Sequence, residues 1–417
     1  MESHAIAKRL LGAFALIASA QAAAQGVEEA FDVPISIEVP VHPTPVTGDD
    51  GKRYVVYNLF LWNWGVNDLN LKAVEIFDDE RRTLLTRYDE KALSQLHRFN
   101  ALIPQPARLR ASELRRIPGG RTSVLYVGFT IDASGSVPTA LRHRFRFETN
   151  PNVRLLREAP VEPDLSMVLD GLVVPVASEK PLVIGPPLRD GPWKCSGGID
   201  NNSLHQHQTT LVVRAGKARI PERFAIDFQK VDAKGDILPN PFPDEIDNTM
   251  FYGYGEEVLA VADGVVSFVK DGIPENVPQA SGEIKPAVPI TRETVAGNHL
   301  AIDLGHHRYA FYAHLEPGSL RVKLGDKVRR GQVLGLVGNS GNAVGPHLHF
   351  HMCDQNALNG CEGLPFVFDA FQIVGHGSHT LQLPLKDRVV RFGKESSPSR
   401  AVLPTSPANT AKRRHFR

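Results

Sequence analysis

The sequence predicts an all-β protein of two domains followed by a tail. Three observations carry that prediction. The 417 residues are too many for one ordinary domain. Short stretches of alternating apolar and polar residues, rich in β-branched and aromatic side chains, recur through both halves between turn signals. Finally, "GNSGNAVGPHLHFHM" (338–352) places His347, His349 and His351 at every second position after a glycine-rich turn. In a strand these imidazoles share one side while Leu348 and Phe350 fill the other.

The first residues carry Lys8 and Arg9, an apolar run from Leu10 to Ala20, and small residues fitting an A-x-A cleavage rule near Ala22 or Ala24. This predicts a signal peptide over 1–24 and export, to the periplasm or beyond the cell. No later segment approaches the roughly 20 apolar residues of a membrane span. Residues 27–160 hold "PISIEVPVHP", "RYVVYNLFLWNW", "LKAVEIFDDE", "RTSVLYVGFTID" and "RHRFRFE". That spacing predicts a small β-sandwich of immunoglobulin type, with Tyr57, Trp62 and Trp64 packing its core. No catalytic constellation falls within it, so positioning or partner contact is its expected work.

The proline-rich stretch 161–192 is expected to be a linker. Residues 193–375 return to strand patterns: "RFAIDFQ", "EVLAVADGVVSFVKD", "NHLAIDLG", "YAFYAHL", "KVRRGQVLGLVGNSG" and "HLHFHM". Residues 376–417, rich in Pro, Ser and Ala with a basic end, are expected to form a disordered tail.

Charge narrows the function. With 47 basic against 46 acidic residues, the chain is not built to hold nucleic acid or an anionic membrane by charge alone. Three cysteines exclude a disulfide-dense scaffold; Cys353 and Cys361, eight apart, could close a loop, leaving Cys195 odd. Nine of sixteen histidines fall between His205 and His351, and such clustering suggests a site, since histidine is both a common metal ligand and a general base.

On "FAIDF", "GEEVLAVADGVV", "GNHLAIDLG", "YAFYAHL" and "LGDKVRRGQVLGLVGNSGNAVGPHLHFHM", residues 223–352 resemble the lysostaphin-type zinc metallopeptidases, which cut peptide bonds in bacterial peptidoglycan. The resemblance implies a duplicated-hybrid-motif β-barrel-sandwich and one Zn2+. It implies Asp227 and His349 as ligands, and His314 and His347 as general base and transition-state stabiliser. Two same-face histidines two residues apart stand about 6.6 Å from each other by strand rise, so one can hold a metal while its neighbour reaches the metal's water.

One position departs from the family pattern. The first ligand is expected four residues before Asp227, where Arg223 stands, and a guanidinium cannot replace a neutral imidazole on zinc. "NNSLHQHQTTLVV" offers His205 and His207 instead, with His207 favoured by likeness to family members that also read "RFAID". The expectation is a catalytic zinc held by His207, Asp227 and His349 with an open position for water, and stem peptides as substrate.

The rival expectation is a metal-free relative that regulates a wall enzyme through a protein partner. A likeness of "LGDKVRRGQVLGLVG" to biotinyl and lipoyl carrier turns lacks a displayed lysine and leaves the histidines unexplained. His299 is expected at a strand surface, His306 and His307 in an exposed turn, and His351 in packing or behind a ligand. Two insertions, 231–255 and 271–297, are expected to wall a groove for an extended peptide.

Overall fold

The computed structural model describes residues 33–95, 99–101, 113–150, 166–199, 206–241, 245–279 and 282–393. The expected signal peptide and most of the expected tail lie outside them. Among the described residues only Glu90–Leu93 is α-helical, with three short 3-10 turns; nearly everything else regular is strand.

Two sheets form the N-terminal sandwich. One runs in the order Ile35–Glu38, Arg53–Asn63, Thr122–Ile131, Phe99–Ala101, and the other Ser166–Pro175, Ala140–Asn150, Asp68–Asp78, Leu84–Tyr88. Alternation along Arg53–Asn63 makes both faces work. Val55, Tyr57, Leu59 and Leu61 enter the core between the two sheets, while Tyr54 and Val56 on the other face join the core of the C-terminal half.

Tyr57 packs as expected, but Trp62 and Trp64 do not: their side chains are 43% and 66% exposed. Trp62 has the even-numbered parity that points out of the sandwich. Its neighbour Trp64 lies just past the strand end and stacks on it.

The structure also departs from expectation at two boundaries. Ser166–Pro175, inside the stretch expected to be a linker, pairs along its length with Ala140–Asn150, its Met167 and Leu169 packing against the sandwich core. Gly377–Gln382 and Val389–Phe392, inside the stretch expected to be a tail, are strands of the C-terminal sheet, and Val390 and Phe392 are buried in its core. Proline and serine density marked both stretches as loop; the alternating apolar residues decided otherwise.

The C-terminal half is built on one large sheet. Asp190–Gly197, Ile226–Lys230, Leu348–Cys353, Tyr309–Leu315, Asn298–Asp303 and Gly264–Lys270 are consecutive antiparallel neighbours in it. Cys353 and Cys361 form a disulfide across Cα atoms 5.7 Å apart, and Cys195 is free and buried.

A buried histidine in the sandwich gives a pH prediction. Tyr57 donates its hydroxyl to His143 Nε2 at 2.6 Å, and His143 Nδ1 donates to the Leu172 carbonyl at 3.1 Å, so the neutral ring is fully satisfied. Burial pulls the imidazole down to about 4. The unfolded chain therefore takes up this proton at a higher pH than the folded one. Stability present above the unfolded value, near 6.5, is lost as pH falls and reaches its full loss below about 4, up to about 3 kcal/mol. His143→Gln should show a smaller drop in unfolding free energy between pH 7 and pH 4.5 than the wild type. Equal drops would mean that His143 is not the group responsible.

Candidate metal and catalytic site

Strand register assembles the site. Asp227 sits directly across from His349, and His349 across from Ala313, so three neighbouring strands put a carboxylate, an imidazole and the residue before His314 in one row. Leu348 and Phe350, on the opposite side of their strand, are fully buried in the apolar core. The histidine side is nearly as closed: His347, His349 and His351 are all buried.

His207 arrives from the short 3-10 turn Gln206–Thr209, is itself buried, and brings its Nε2 to 3.3 Å from Asp227 Oδ2. His349 Nδ1 lies 2.8 Å from Asp227 Oδ1. Ligand atoms of His207, Asp227 and His349 all fall within 4.8 Å of one another. Two imidazoles and one carboxylate in a nearly closed site have donor chemistry that fits a divalent transition-metal ion such as zinc. His205 lies outside the described residues.

The two remaining candidates flank this cluster. His314 and His347 have ring centroids 4.8 Å apart, and His314 is 5.9 Å from His349. Each spends Nδ1 on a backbone carbonyl, His314 on Ser340 and His347 on Gly345, both at 2.8 Å. A carbonyl only accepts, so in the neutral form of either ring the proton sits on Nδ1 and Nε2 keeps its lone pair. For His347 that nitrogen stands 3.8 Å from Asp227 Oδ1.

Backbone strain helps aim His314. Its φ is +65°, uncommon for a residue with a Cβ, and it falls where strand pairing with Asn298–Asp303 slips register. Opposite it, Gly297 has φ +60°, and a Cβ there would meet Ser340 at 2.3 Å. Only glycine lets these backbones close on each other, which fixes the Ser340 carbonyl that holds His314.

Electrostatics follow from crowding four histidines around one carboxylate. Burial works to raise Asp227, but His207, His347 and His349 outweigh it and hold the carboxyl well below its usual range. Burial lowers His207, with Asp227 offsetting part of the effect. His314 is driven well down by burial and by His347 and His349. His349 moves the other way: burial would lower it, but the bond to Asp227 wins and raises it.

A cleft of 560 Å3 opens over the cluster, and His207, Asp227, His314, His347 and His349 all line it. Ile284, Val295 and Ala296 of the second insertion form part of its wall. The first insertion instead borders an adjoining 210 Å3 apolar hollow through Ile237, Leu238 and Phe251, and Val344 belongs to both.

Two features escaped sequence reasoning. Glu222 lines the cleft, 4.0 Å from His349 Nε2 and hydrogen-bonded by Thr210; as a carboxylate beside the "RFAID" motif, it was open to notice. His299 is buried rather than at a surface, donating to the Gly297 carbonyl at 2.8 Å and stacking on Phe268. His351 packs on Phe311 and also meets His349 Nε2 at 3.0 Å, so it both fills space and braces the ring. His306 and His307 are exposed, in left-handed turn conformations. A second cluster, His351 with Cys353 and Cys361, offers no thiolate because both sulfurs are in the disulfide.

Comparison with known proteins finds a family model that matches part of the chain. Residues 248–359 match the model of peptidase family M23, a stretch that includes His314, His347 and His349 but neither His207 nor Asp227. The chain is 46% identical over 57 residues to the peptidoglycan DD-endopeptidase ShyA of Vibrio cholerae, covering 14% of this chain and 13% of that one. It is 31% identical over 135 residues to the glycyl-glycine endopeptidase ALE-1 of Staphylococcus capitis, covering 31% and 35%. The catalytic domain of the antimicrobial peptidase lysostaphin from Staphylococcus simulans aligns over 30% of this chain and 84% of its own, at 22% identity and a TM-score of 0.19. The matched stretches thus span well under half of the curated relatives' lengths.

Proposed function

From a chain whose residues 248–359 match peptidase family M23, we propose an exported zinc metalloendopeptidase, periplasmic or secreted, that hydrolyses peptide bonds in peptidoglycan cross-links. The observation that carries the reading is the joining of His207, Asp227 and His349 within 4.8 Å under a cleft that two further imidazoles line. Peptidoglycan as substrate is taken from the names of the relatives.

His207, Asp227 and His349 would hold the ion. Zinc bound there supplies Lewis-acid polarisation and brings the pKa of a water to about 7. His347 or His314 accepts a proton at Nε2 from the attacking water, its Nδ1–H anchored on a carbonyl. Because both rings have the same tautomer, neither can donate from Nε2 until it has taken a proton. The ring that serves as base then carries the proton that the departing amine needs when the peptide bond breaks, and the other ring is placed to hydrogen-bond the developing oxyanion when it is itself protonated. His351 holds His349 in place from behind.

The rival regulator reading took its support from Arg223. That support weakens with His207 beside Asp227, because the place left by the missing histidine has a donor from elsewhere. Three measurements test the proposal. Dialysis against a chelator should abolish hydrolysis of cross-linked muropeptides, and zinc should restore it; full activity in metal-free protein would end the reading. His207→Ala should lose bound zinc where His205→Ala retains it, and the opposite order would reassign the first ligand. Deleting part of the 271–297 insertion should change substrate preference, since Ile284, Val295 and Ala296 wall the cleft.

A further inference from the structure

The outward face of Arg53–Asn63 is used in sequence along the strand. Tyr54 and Val56 enter the C-terminal core, Asn58 bonds Arg223, and Phe60 packs on the cluster of Val124, Tyr126 and Ile220. Trp62 is next in that row, beyond the reach of those contacts, and half in solvent. Trp64 stacks on it with ring centroids 5.0 Å apart and planes at 21°, and donates Nε1–H to Ser36 Oγ at 2.9 Å. Scattered exposed apolar residues need no explanation. Two indoles held parallel by each other and by a hydrogen bond, with so much of their area in water, form a prepared surface rather than a packing remnant.

That surface borders a groove. Trp62 lines a hollow of 930 Å3 between the sandwich and the C-terminal half, larger than the catalytic cleft. Its floor is the cross-strand row Ser36, Trp62 and Thr122, and its far wall is the Lys217–Arg219 strand with Asp354. Arg219 and Asp354 pair at 2.8 Å, and Glu38 and Lys217 also line the groove. The lining thus carries Lys217 and Arg219 against Glu38, Glu179, Asp354 and Glu362, with Asp354 engaged by Arg219 and Glu362 by Arg223. It offers donors and acceptors of both signs with a slight acidic excess, poor for an anion and open to a neutral polyhydroxylated ligand. A pyranose has that form: an apolar C–H face to lie on an indole and a rim of hydroxyls to meet mixed polar groups. Groove and cleft also lie along one segment, with Arg219 on the first and Glu222 and Asp227 on the second.

We propose that Trp62, Trp64 and this groove bind the amino-sugar glycan strand of peptidoglycan, holding the polymer while the cleft works on its peptides. This rests on the peptidoglycan reading above, but its test does not use hydrolysis. Two of the chain's three tryptophans form the platform and the third, Trp193, is fully buried, so intrinsic fluorescence reports the site.

Titrating the full-length protein with chitotetraose, and with glycan strands freed of stem peptides by an amidase, should give a saturable change. Trp64→Ala and Trp62→Ala should weaken binding by about tenfold or more, and Trp62→Phe by only a few-fold. Asp227→Asn should bind glycan as the wild type does, so a failure of the metallopeptidase reading leaves this result standing. Since Trp64 is the more exposed, Trp64→Ala keeps the test open if Trp62→Ala does not fold. Absence of saturable binding by the wild type to either glycan, wild-type affinity in Trp64→Ala, or tryptophan-dependent binding of free stem peptides instead, would each overturn the proposal.

Discussion

Asp227→Asn should leave a folded protein that no longer retains zinc and hydrolyses cross-linked muropeptides at least about a thousandfold more slowly than the wild type. The expectation comes from how much converges on one carboxylate: His349 at 2.8 Å, His207 at 3.3 Å and His347 at 3.8 Å. Asparagine keeps the volume and one acceptor but removes the charge that draws a divalent ion into a nearly buried site. Without the ion there is no acidified water for a general base to deprotonate, so the metal's contribution and the roughly 10²–10⁴-fold worth of general-base help are forfeited together. Zinc content by elemental analysis and single-substrate kinetics on the same preparation make the check. A variant that keeps about one zinc and most of its rate would remove Asp227 from the centre.

The same crowding sets a pH dependence for metal uptake. Asp227 raises His349, so in the metal-free protein that imidazole holds its proton to a higher pH than an ordinary histidine. On the proposed ligand set zinc would have to displace that proton, because a metal ligand nitrogen needs its lone pair. Apparent zinc affinity should therefore rise with pH through the normal histidine range and continue to rise above it. A flat affinity between pH 6 and pH 8 would mean that His349 is not a ligand.

Much of the candidate site was legible because it is local. The H-x-H alternation needs only strand geometry, and the structure puts Leu348 and Phe350 in the core while His347 and His349 line the cleft. Asp227 and His349 are 122 positions apart, yet each lies in a short apolar strand pattern, and antiparallel neighbours do the rest. What the sequence could not express was anything decided by a second surface. Trp62 and Trp64 look like core residues until the sheet's outer face is found to outrun the C-terminal half that covers it. His299 looks like a strand surface residue until Phe268 covers it. Gly377–Gln382 and Val389–Phe392 look like tail because serine and proline follow them, although what matters is the core that Val390 and Phe392 complete.

Arg223 is the residue where sequence and structure say most when taken together, and it carries the second large prediction. In the sequence it occupies the place where a zinc-binding histidine is expected. In the structure it is buried and turns to other partners: Nε donates to Glu362 Oε1 at 2.8 Å, Nη2 approaches the same oxygen at 2.7 Å, and Nη1 donates to Asn58 of the sandwich. Glu362 Oε2 in turn accepts from the Ile220 backbone at 3.0 Å, beside Cys361 of the disulfide. Arg223 thus ties together the sandwich, the disulfide loop and the strand that begins at Ile226. Removing one partner of such a buried pair leaves the other charge without compensation. Arg223→Ala should cost about 3–5 kcal/mol of unfolding free energy, and Arg223→Met with Glu362→Gln should recover much of it. On the proposed ligand set of His207, Asp227 and His349, that double variant should still retain about one zinc per chain, because neither residue belongs to the cluster. A loss below about 1 kcal/mol in Arg223→Ala would show the pair to be dispensable. Loss of zinc from a stable double variant would show that the Arg223–Glu362 pair is needed to position the proposed donors.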